Sequence, residues 1–296
     1  MVHHELCPLC SSEMISVHFS CTDYFISKES FPLCRCSSCG FLFTQDYPDE
    51  KDTGRYYESD EYISHSDTSS GIINKAYHLA RHLMLRRKRR IIESLTGLRR
   101  GTLLDVGSGT GHFASMMKES GWTVKGIEIS EKARNFAASA FGLEIIAPDQ
   151  ISGLKAESFD CVTMWHVLEH FHNPEEYLSD IEKLLKPGGT CLIALPNSSS
   201  IDADYYRHYW AAFDVPRHLW HFDPATFRRF SGKTGLKFER QFVLPFDVFY
   251  ISSLSEKYKG SKLPFIKGII RASWFSFMSV FDRNRSSSVI YVLKKS

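Results

Sequence analysis

An acid followed by alternating glycines could bind a small ligand that has a positively charged end. Asp105 lies in an apolar run, and Gly107, Gly109 and Gly111 follow it. Glycine lets a ligand lie against bare backbone, and the start of the following helix offers free N–H groups. An acid two residues before the first glycine would repel a pyrophosphate but attract a cationic group. The spacing also differs from the G-x-G-x-x-G pattern of dinucleotide-binding folds.

Two pairs of cysteines near the start of the chain have the spacing of a metal site. Cys-x-x-Cys occurs at Cys7 and Cys10 and again at Cys36 and Cys39. Each turn presents two thiolates, so two turns complete a closed, structural zinc site with four cysteine ligands. The long gap between the pairs predicts a hairpin. A redox dithiol is the alternative interpretation, and Cys34 is a possible competitor of Cys36 as a ligand.

Histidines that follow predicted strands are candidates for acid–base chemistry. His166 comes directly after one strand, and His218 and His221 lie in the later segment D-V-P-R-H-L-W-H-F. A positioned imidazole can take the proton of a hydroxyl group near neutral pH. Each of these side chains could instead only pack or cap. His170 and His172 lie further along the chain and are interpreted as structural.

Seven strands with intervening helices are predicted to position these groups in an α/β fold. The strands are expected at residues 103–106, 123–129, 143–147, 159–165, 190–195, 236–244 and 289–293. Helices are expected at 73–96, after the glycine turn, from Asn173 to about Lys186, and at 224–234. Ligands of open α/β sheets bind at the carboxyl ends of the strands. The glycine turn and the histidine segments should therefore meet at one edge of the sheet.

The ordered set of motifs resembles the class I S-adenosylmethionine (SAM) methyltransferases. The glycine turn is similar to their motif I, and the strand F-D-C-V and the turn L-K-P-G-G follow in the family's order. The segments H-V-L-E-H and P-R-H-L-W-H-F resemble the branch that contains the ubiquinone O-methyltransferases. This similarity covers roughly residues 95–244.

The resemblance implies a Rossmann-like sheet of seven strands with helices on both faces, and SAM as cofactor. The glycines should pass under the methionine end of SAM, while Glu128 should accept the ribose hydroxyls. Methyl transfer is a direct displacement that mainly needs alignment of donor and acceptor. His166 and His218, with His221 behind them, are the expected catalytic residues. The implied cofactor site consists of Asp105, Gly107, Ser108, Gly109, Gly111, Glu128, Ile129, Trp165 and His166.

The chain is expected to divide into three parts. Residues 1–45 would form a zinc ribbon, 46–72 a linker or lid, and 73–296 the methyltransferase domain. A helical insertion, 245–288, separates the last two strands. It carries an apolar stripe that could pack on the body as a lid or could contact a membrane surface or a lipid-linked substrate through 263–281. The stripe consists of Ile266, Ile270, Trp274, Phe277 and Phe281.

Composition limits the remaining possibilities. A net charge of +2 gives the protein no strong overall positive potential that would attract nucleic acid, so we expect no nucleic-acid partner. No segment is typical of a signal peptide or a membrane span, so a cytoplasmic protein with reduced cysteines is expected. The basic run at 86–90 is interpreted mainly as a solvated face, with phosphate binding as the alternative. Arg217 could hold a phosphate or carboxylate.

The expected function is methyl transfer from SAM to a small molecule. A sugar or saccharide hydroxyl is the first candidate acceptor, and a lipid-linked or isoprenoid acceptor is the alternative. Another alternative is a regulatory module that binds SAM or nucleic acid, has the same fold and does not catalyse methyl transfer. A nicotinamide oxidoreductase is disfavoured by Asp105 and by the glycine spacing.

Overall fold

Two β-sheets organise the chain. The computed structural model describes residues 1–57 and 72–296, and of residues 72–80 it describes the backbone alone. Most of the predicted linker or lid at 46–72 therefore lies outside the described residues. The strands are β1 (Ile15–Thr22), β2 (Ser30–Cys36), β3 (Leu42–Thr44), β4 (Thr102–Val106), β5 (Thr123–Ile127), β6 (Glu144–Ile146), β7 (Phe159–Trp165), β8 (Leu185–Pro196), β9 (Trp220–His221), β10 (Leu236–Val243) and β11 (Ser288–Lys295). The helices are α1 (Ile72–Thr96), α2 (His112–Glu119), α3 (Glu131–Phe141), α4 (Pro174–Leu184), α5 (Ile201–Tyr206), α6 (Pro224–Ser231), α7 (Asp247–Tyr258) and α8 (Pro264–Ser279).

The larger sheet has seven strands in the order β10-β11-β8-β7-β4-β5-β6. Strands β4 to β8 run parallel to one another, and β11 lies antiparallel between β8 and β10. This confirms the predicted seven-stranded α/β fold. The carboxyl ends of β4, β5 and β7 consequently meet at one edge, where the glycine turn and His166 follow them.

The predicted start of β8 and the predicted end of α6 were wrong. Helix α4 ends at Leu184, and β8 begins at Leu185 rather than near Thr190. The turn Pro187-Gly188-Gly189 is a bulge inside that strand, because pairing with β7 shifts register there and Gly188 takes a left-handed φ of 73°. Helix α6 ends at Ser231, before the predicted end at residue 234, and hydrogen-bonded turns follow it.

The smaller sheet joins the start of the chain to the histidine segment. Its order is β1-β2-β3-β9, and the first two strands form the hairpin that the cysteine spacing predicted. Strand β9 pairs antiparallel with β3 through Leu42–His221 and Phe43–Trp220. Side chains of both sheets also share one apolar cluster, in which Cys36 and Phe43 belong with Val106. The N-terminal region thus packs directly against the body that carries the site.

The insertion before the last strand forms a helical hairpin of α7 and α8. The two helices touch closely, because a Cβ at Gly268 would lie 2.4 Å from the Cα of Ser253. Ala272 and Phe275 on the same face of α8 are buried. The predicted apolar stripe points the other way, and Ile270 is 63% exposed. The expectation that this stripe packs on the body as a lid was therefore wrong. Within the part of the chain that the structure describes, no helix is long and apolar enough to cross a membrane.

Candidate functional site

The glycine turn after β4 leaves an open surface of backbone. Gly107, Gly109 and Gly111 have φ angles of 69°, 53° and 81°, which only glycine adopts freely. A Cβ at Gly107 would lie 2.3 Å from the side chain of Val167, so the fold itself requires glycine there. By contrast, nothing lies within 4 Å of a Cβ placed at Gly109. Gly109 therefore faces space that a ligand could fill.

An acid and an exposed apolar side chain flank that space. Glu128 follows β5, and its carboxylate accepts hydrogen bonds from the backbone N–H of Gly109 at 2.8 Å and of Ser130 at 2.9 Å. The next residue, Ile129, is 80% exposed. Ser108 donates to the carbonyl oxygen of Asp105 at 2.7 Å, which holds the turn closed.

A buried acid and a partly buried lysine lie near this turn. Thr163 donates a 2.6 Å hydrogen bond to Asp105, whose pKa burial raises to about 7. The Lys88 ammonium lies 4.0 Å from the ring centroid of Trp165, and burial lowers its pKa to about 8. Lys88 is thus an exception to the solvated face predicted for the basic run. Its charge is attracted both to Asp247 on α7 and to Asp105.

His166 occupies a strained position at the end of β7. Its φ is 59°, a left-handed value that is unusual for a residue with a side chain. Nε2 lies 2.8 Å from Asp247 Oδ2, and Nδ1 lies 3.6 Å from Glu169 Oε1. Burial lowers the pKa of His166, but these two carboxylates outweigh burial and raise it to about 9. The imidazole is therefore cationic at neutral pH, which does not suit it to act as a base.

Glu169 lies at the centre of a histidine-rich group of side chains, which we call the wall. Its members are His166, Glu169, His170, Asp214, His218 and Asp247. Glu169 is 1% exposed, and neither carboxylate oxygen has a hydrogen-bond partner among the described residues. His218 Nε2 lies 4.0 Å from Glu169 Oε1, while Nδ1 lies 2.9 Å from the carbonyl oxygen of Ala212. A carbonyl oxygen can only accept, so Nδ1 of His218 carries a proton, and in the neutral imidazole Nε2 is the nitrogen that can accept one. His170 packs edge-on to His218 with a centroid distance of 4.6 Å.

Arg217 connects this wall to the N-terminal region. Its guanidinium pairs with Asp214 at 2.6 Å and with Asp23 at 2.9 Å, and it donates to the carbonyl oxygen of Tyr56 at 3.1 Å. Arg217 is 1% exposed. Its donors are used inside the protein, so the expectation that it holds a ligand's phosphate or carboxylate was wrong. Instead, it fixes the segment that carries His218.

His221 lies behind the wall. Its Nε2 is 2.9 Å from the hydroxyl of Thr44, and its ring packs edge-on against Phe213. The side chain is buried, and burial together with nearby His218 moves its pKa well below the ordinary value. These contacts tie β9 to β3 and favour a positioning role over contact with a substrate.

Two groups of side chains have the spacing of a cation site. The thiolates of Cys7, Cys10, Cys36 and Cys39 all lie within 4.8 Å of one another. The sulfurs of Cys7 and Cys39 are 3.6 Å apart, close to the roughly 3.8 Å edge of a tetrahedron with Zn–S bonds of about 2.3 Å. The second group, Glu169 with His170 and His218, offers one carboxylate and two imidazoles within the same limit.

Each Cys-x-x-Cys turn closes in the same way. The N–H of Ser11 donates to the carbonyl oxygen of Cys7, and the N–H of Gly40 donates to that of Cys36, both at 2.8 Å. Ser11 and Gly40 both have a left-handed φ. This repeated geometry places Cys36, rather than its neighbour Cys34, in the cluster.

Three acids of the wall were missed by the sequence analysis. Glu169 lies inside the H-V-L-E-H segment, which was used only to recognise the family. Asp214 is three residues before Arg217, and that spacing was a usable signal for an ion pair. Asp247 lies in the insertion, and no local pattern connects it to His166. Only the tertiary structure brings it there.

Comparison with known proteins identifies the family. A family model described as a methyltransferase domain matches residues 78–241, more than half of the chain. The chain is 34% identical to the ubiquinone biosynthesis O-methyltransferase of Caulobacter vibrioides over 139 residues, which cover 40% of this chain and 55% of that protein. Its counterpart from Ralstonia nicotianae is 34% identical over 105 residues, or 33% of this chain and 44% of that protein. The chain thus spans about half the length of the curated relatives it matches.

Solved structures agree on the fold. A chain from the complex of the Haloferax volcanii Trm112 methyltransferase activator with a methyltransferase superposes with a TM-score of 0.53 at 17% identity, covering 84% of this chain and 99% of that chain. The geranyl diphosphate C-methyltransferase of Streptomyces coelicolor A3(2) gives 0.50 at 15% identity, covering 81% and 87%. With its glycine turn, its sheet order and the matched family model, the chain belongs to the methyltransferase-domain family of class I SAM-dependent methyltransferases.

Proposed function

We propose that this protein transfers a methyl group from SAM to a hydroxyl group of a small molecule. The observation that carries the proposal is the open backbone at Gly109, with Glu128 beside it. The ribose hydroxyls of SAM can replace the backbone N–H groups as the hydrogen-bond donors to the Glu128 carboxylate. The exposed side chain of Ile129 offers an apolar surface for the base of the nucleoside.

The chain's own residues fit the rest of the cofactor. The glycine turn allows the methionine end to approach the backbone, and Asp105 provides negative charge beneath the turn at pH values above about 7. Ser108 and Gly111 complete the turn, while Trp165, at the end of β7, and His166, which follows it, come from the strand next to β4. When bound, SAM supplies an electrophilic methyl group on a sulfonium. The protein's task is then to align the acceptor and remove its proton.

We assign the base to His218. In the neutral imidazole Nε2 is the nitrogen that can accept a proton, and it lies 4.0 Å from Glu169 and 3.9 Å from Asp214, whose carboxylates would stabilise the imidazolium formed on proton transfer. His166, already cationic, would instead orient the acceptor or stabilise negative charge on its oxygen. His221 would act only by positioning the segment on which His218 lies.

The acceptor we favour has an apolar part, as in the isoprenoid alternative. A cavity of about 410 Å³ lies beside the insertion, and Leu244, Val248 and Phe275 are among its apolar lining residues. Val248 follows Asp247 on α7, whose carboxylate contacts His166. The cavity and the carboxylate that contacts His166 are therefore served by the same helix. Apolar lining suits a prenyl or alkyl chain better than a sugar, and the ubiquinone-type relatives point the same way.

Calorimetry with SAM, S-adenosylhomocysteine and NAD tests the cofactor. We expect binding of the first two only. Gly109→Val should abolish it, because the new side chain would fill the ligand's space. Gly97→Val is the matched control, since Gly97 also has a left-handed φ and open surroundings away from the site. Glu128→Ala should cost about 1–3 kcal/mol of binding free energy. Unchanged affinity in both site variants would refute the assignment.

A methylation assay separates an enzyme from a binding module. Labelled SAM should transfer its methyl group to a hydroxylated aromatic compound that carries a prenyl chain, more readily than to one without the chain. Tight SAM binding with no product from aromatic, isoprenoid or sugar hydroxyls would favour a non-catalytic module. Product from sugars alone would overturn the acceptor we favour while leaving the cofactor assignment intact.

We also propose one structural zinc ion on Cys7, Cys10, Cys36 and Cys39. The sulfur spacing and the repeated backbone turns support a tetrahedral site with four thiolate ligands. Four thiolates leave no open coordination position, so the ion would hold the N-terminal region together without taking part in methyl transfer.

A further inference from the structure

We propose that the outer face of α8 rests on the surface of an anionic membrane. By the outer face of α8 we mean the side turned away from α7. It runs the length of the helix and continues past its end. Its members are Phe265, Ile266, Ile269, Ile270, Trp274, Phe277, Val280 and Phe281.

The fold does not require this face to be apolar. The opposite side of α8 already supplies the packing, through Gly268, Ala272 and Phe275 against α7 and α5. On the outer face, Ile270 is 63%, Trp274 54% and Phe281 73% exposed. A continuous exposed apolar surface of this kind marks an interaction site rather than ordinary solvent-facing protein.

Charge identifies the partner. Residues 257–284 contain six lysines and arginines but a single acid, whereas the remaining chain has more acidic than basic residues. Lys267 and Arg271 each follow an isoleucine of the outer face and lie along one edge of it. Such side chains can reach lipid phosphates while their stems lie on apolar surface. This pattern matches helices that lie in the membrane interface.

A second copy of this chain fits the face less well. A twofold contact through the outer face of α8 would bring two strongly basic segments together, and like charges oppose that contact. Anionic lipid headgroups would neutralise them. No described helix is suited to crossing the bilayer, so contact would be limited to one surface. This inference concerns attachment and stands apart from the proposed methyl transfer.

Vesicle co-sedimentation tests the proposal with the full chain. Vesicles that contain phosphatidylglycerol should bind the protein, and vesicles of phosphatidylcholine alone should bind it at least about tenfold more weakly. Raising the salt to about 1 M should reduce binding, because the Debye length then falls to about 3 Å. Lys267→Gln should weaken binding about fivefold, the equivalent of about 1 kcal/mol for one basic residue near an anionic surface. Lys132→Gln, on exposed helix α3, is the matched control.

The apolar contribution needs a second set of variants. Combined Ile266→Ser, Ile270→Ser and Trp274→Ser should abolish binding to anionic vesicles, while SAM affinity shows that the chain is still folded. Met14 and Val17 are similarly exposed but are distant in sequence from α8, so the double variant Met14→Ser with Val17→Ser should leave binding unchanged. Equal binding to neutral and anionic vesicles would overturn the proposal. So would a protein that does not bind vesicles but forms a dimer, if the triple variant abolishes that dimer.

Discussion

The cofactor side and the acceptor side of the site are built in different ways. The cofactor side comes from one stretch, residues 105–129, in which a strand, a glycine turn and a second strand follow one another. The acceptor side is assembled from segments around residues 23, 56, 166–170, 214–218 and 247. A continuous stretch can be recognised from its local pattern, whereas an assembled wall depends on the whole fold. Changes far from the chemistry should therefore disturb the acceptor side more.

The largest effect is expected at His218. His218→Ala should lower turnover by about 10²–10⁴-fold, the usual contribution of a general base, while SAM affinity barely changes. The measurement is steady-state turnover together with calorimetry. His172→Ala is the control, because His172 bonds to the carbonyl oxygen of Pro48 and lies outside the wall.

Glu169→Gln distinguishes two possible roles of the wall, which are support of a general base and binding of a cation. If Glu169 stabilises protonated His218, the variant should lose turnover, and added Mg²⁺ or Mn²⁺ should have no effect on either protein. Activation of the wild type by these cations, lost in Glu169→Gln, would instead make His218 a cation ligand and would contradict its role as a base.

A large effect on stability is expected at Asp23, which is distant in sequence from the proposed catalytic residues. Asp23→Asn keeps the shape of the side chain but removes one charge from the buried pair with Arg217. Unfolding free energy should fall by about 3 kcal/mol, the lower end of the range for broken buried pairs, because Asp214 still contacts the guanidinium. Turnover should fall while SAM affinity is maintained. Asp180→Asn breaks the exposed pair with Lys183 and should cost less than about 1 kcal/mol.

The same contrast explains what could be predicted. The seven strands were located because clear turns separate them and their apolar residues occur in runs or at alternate positions, and the glycines mark the cofactor side directly. The error at β8 arose because Pro187 and Gly188 usually interrupt a strand, whereas here they form a bulge within it. The exposed stripe of α8 was ambiguous, since helical periodicity does not tell which face meets the protein. Arg217 was misread because its partner Asp23 is distant in sequence.

The zinc site should affect the acceptor side rather than the cofactor side. Protein purified without added metal should contain about one zinc per chain, following the four-thiolate count. Removal by a chelator should lower turnover about 10²-fold, because β3 pairs with β9 and a 1 Å misplacement of a catalytic group has that effect. SAM affinity should remain largely intact. Absence of metal, or a Cys7–Cys10 disulfide in fresh protein, would contradict the site.

The smallest effect is expected in the pH dependence of stability, through His166. Its pKa is raised to about 9 in the fold, against about 6.5 for an ordinary histidine. Because the fold favours the protonated form of His166, this histidine contributes its full stabilisation below about pH 6.5. The contribution is lost as the pH rises through 9. Allowing for partial exposure, urea unfolding should show about 1–2 kcal/mol lost between about pH 6.5 and pH 10. His166→Gln should lack this loss and His172→Gln should retain it. Parallel curves for wild type and His166→Gln would show that His166 is not a fixed cation, and it would return as a candidate base.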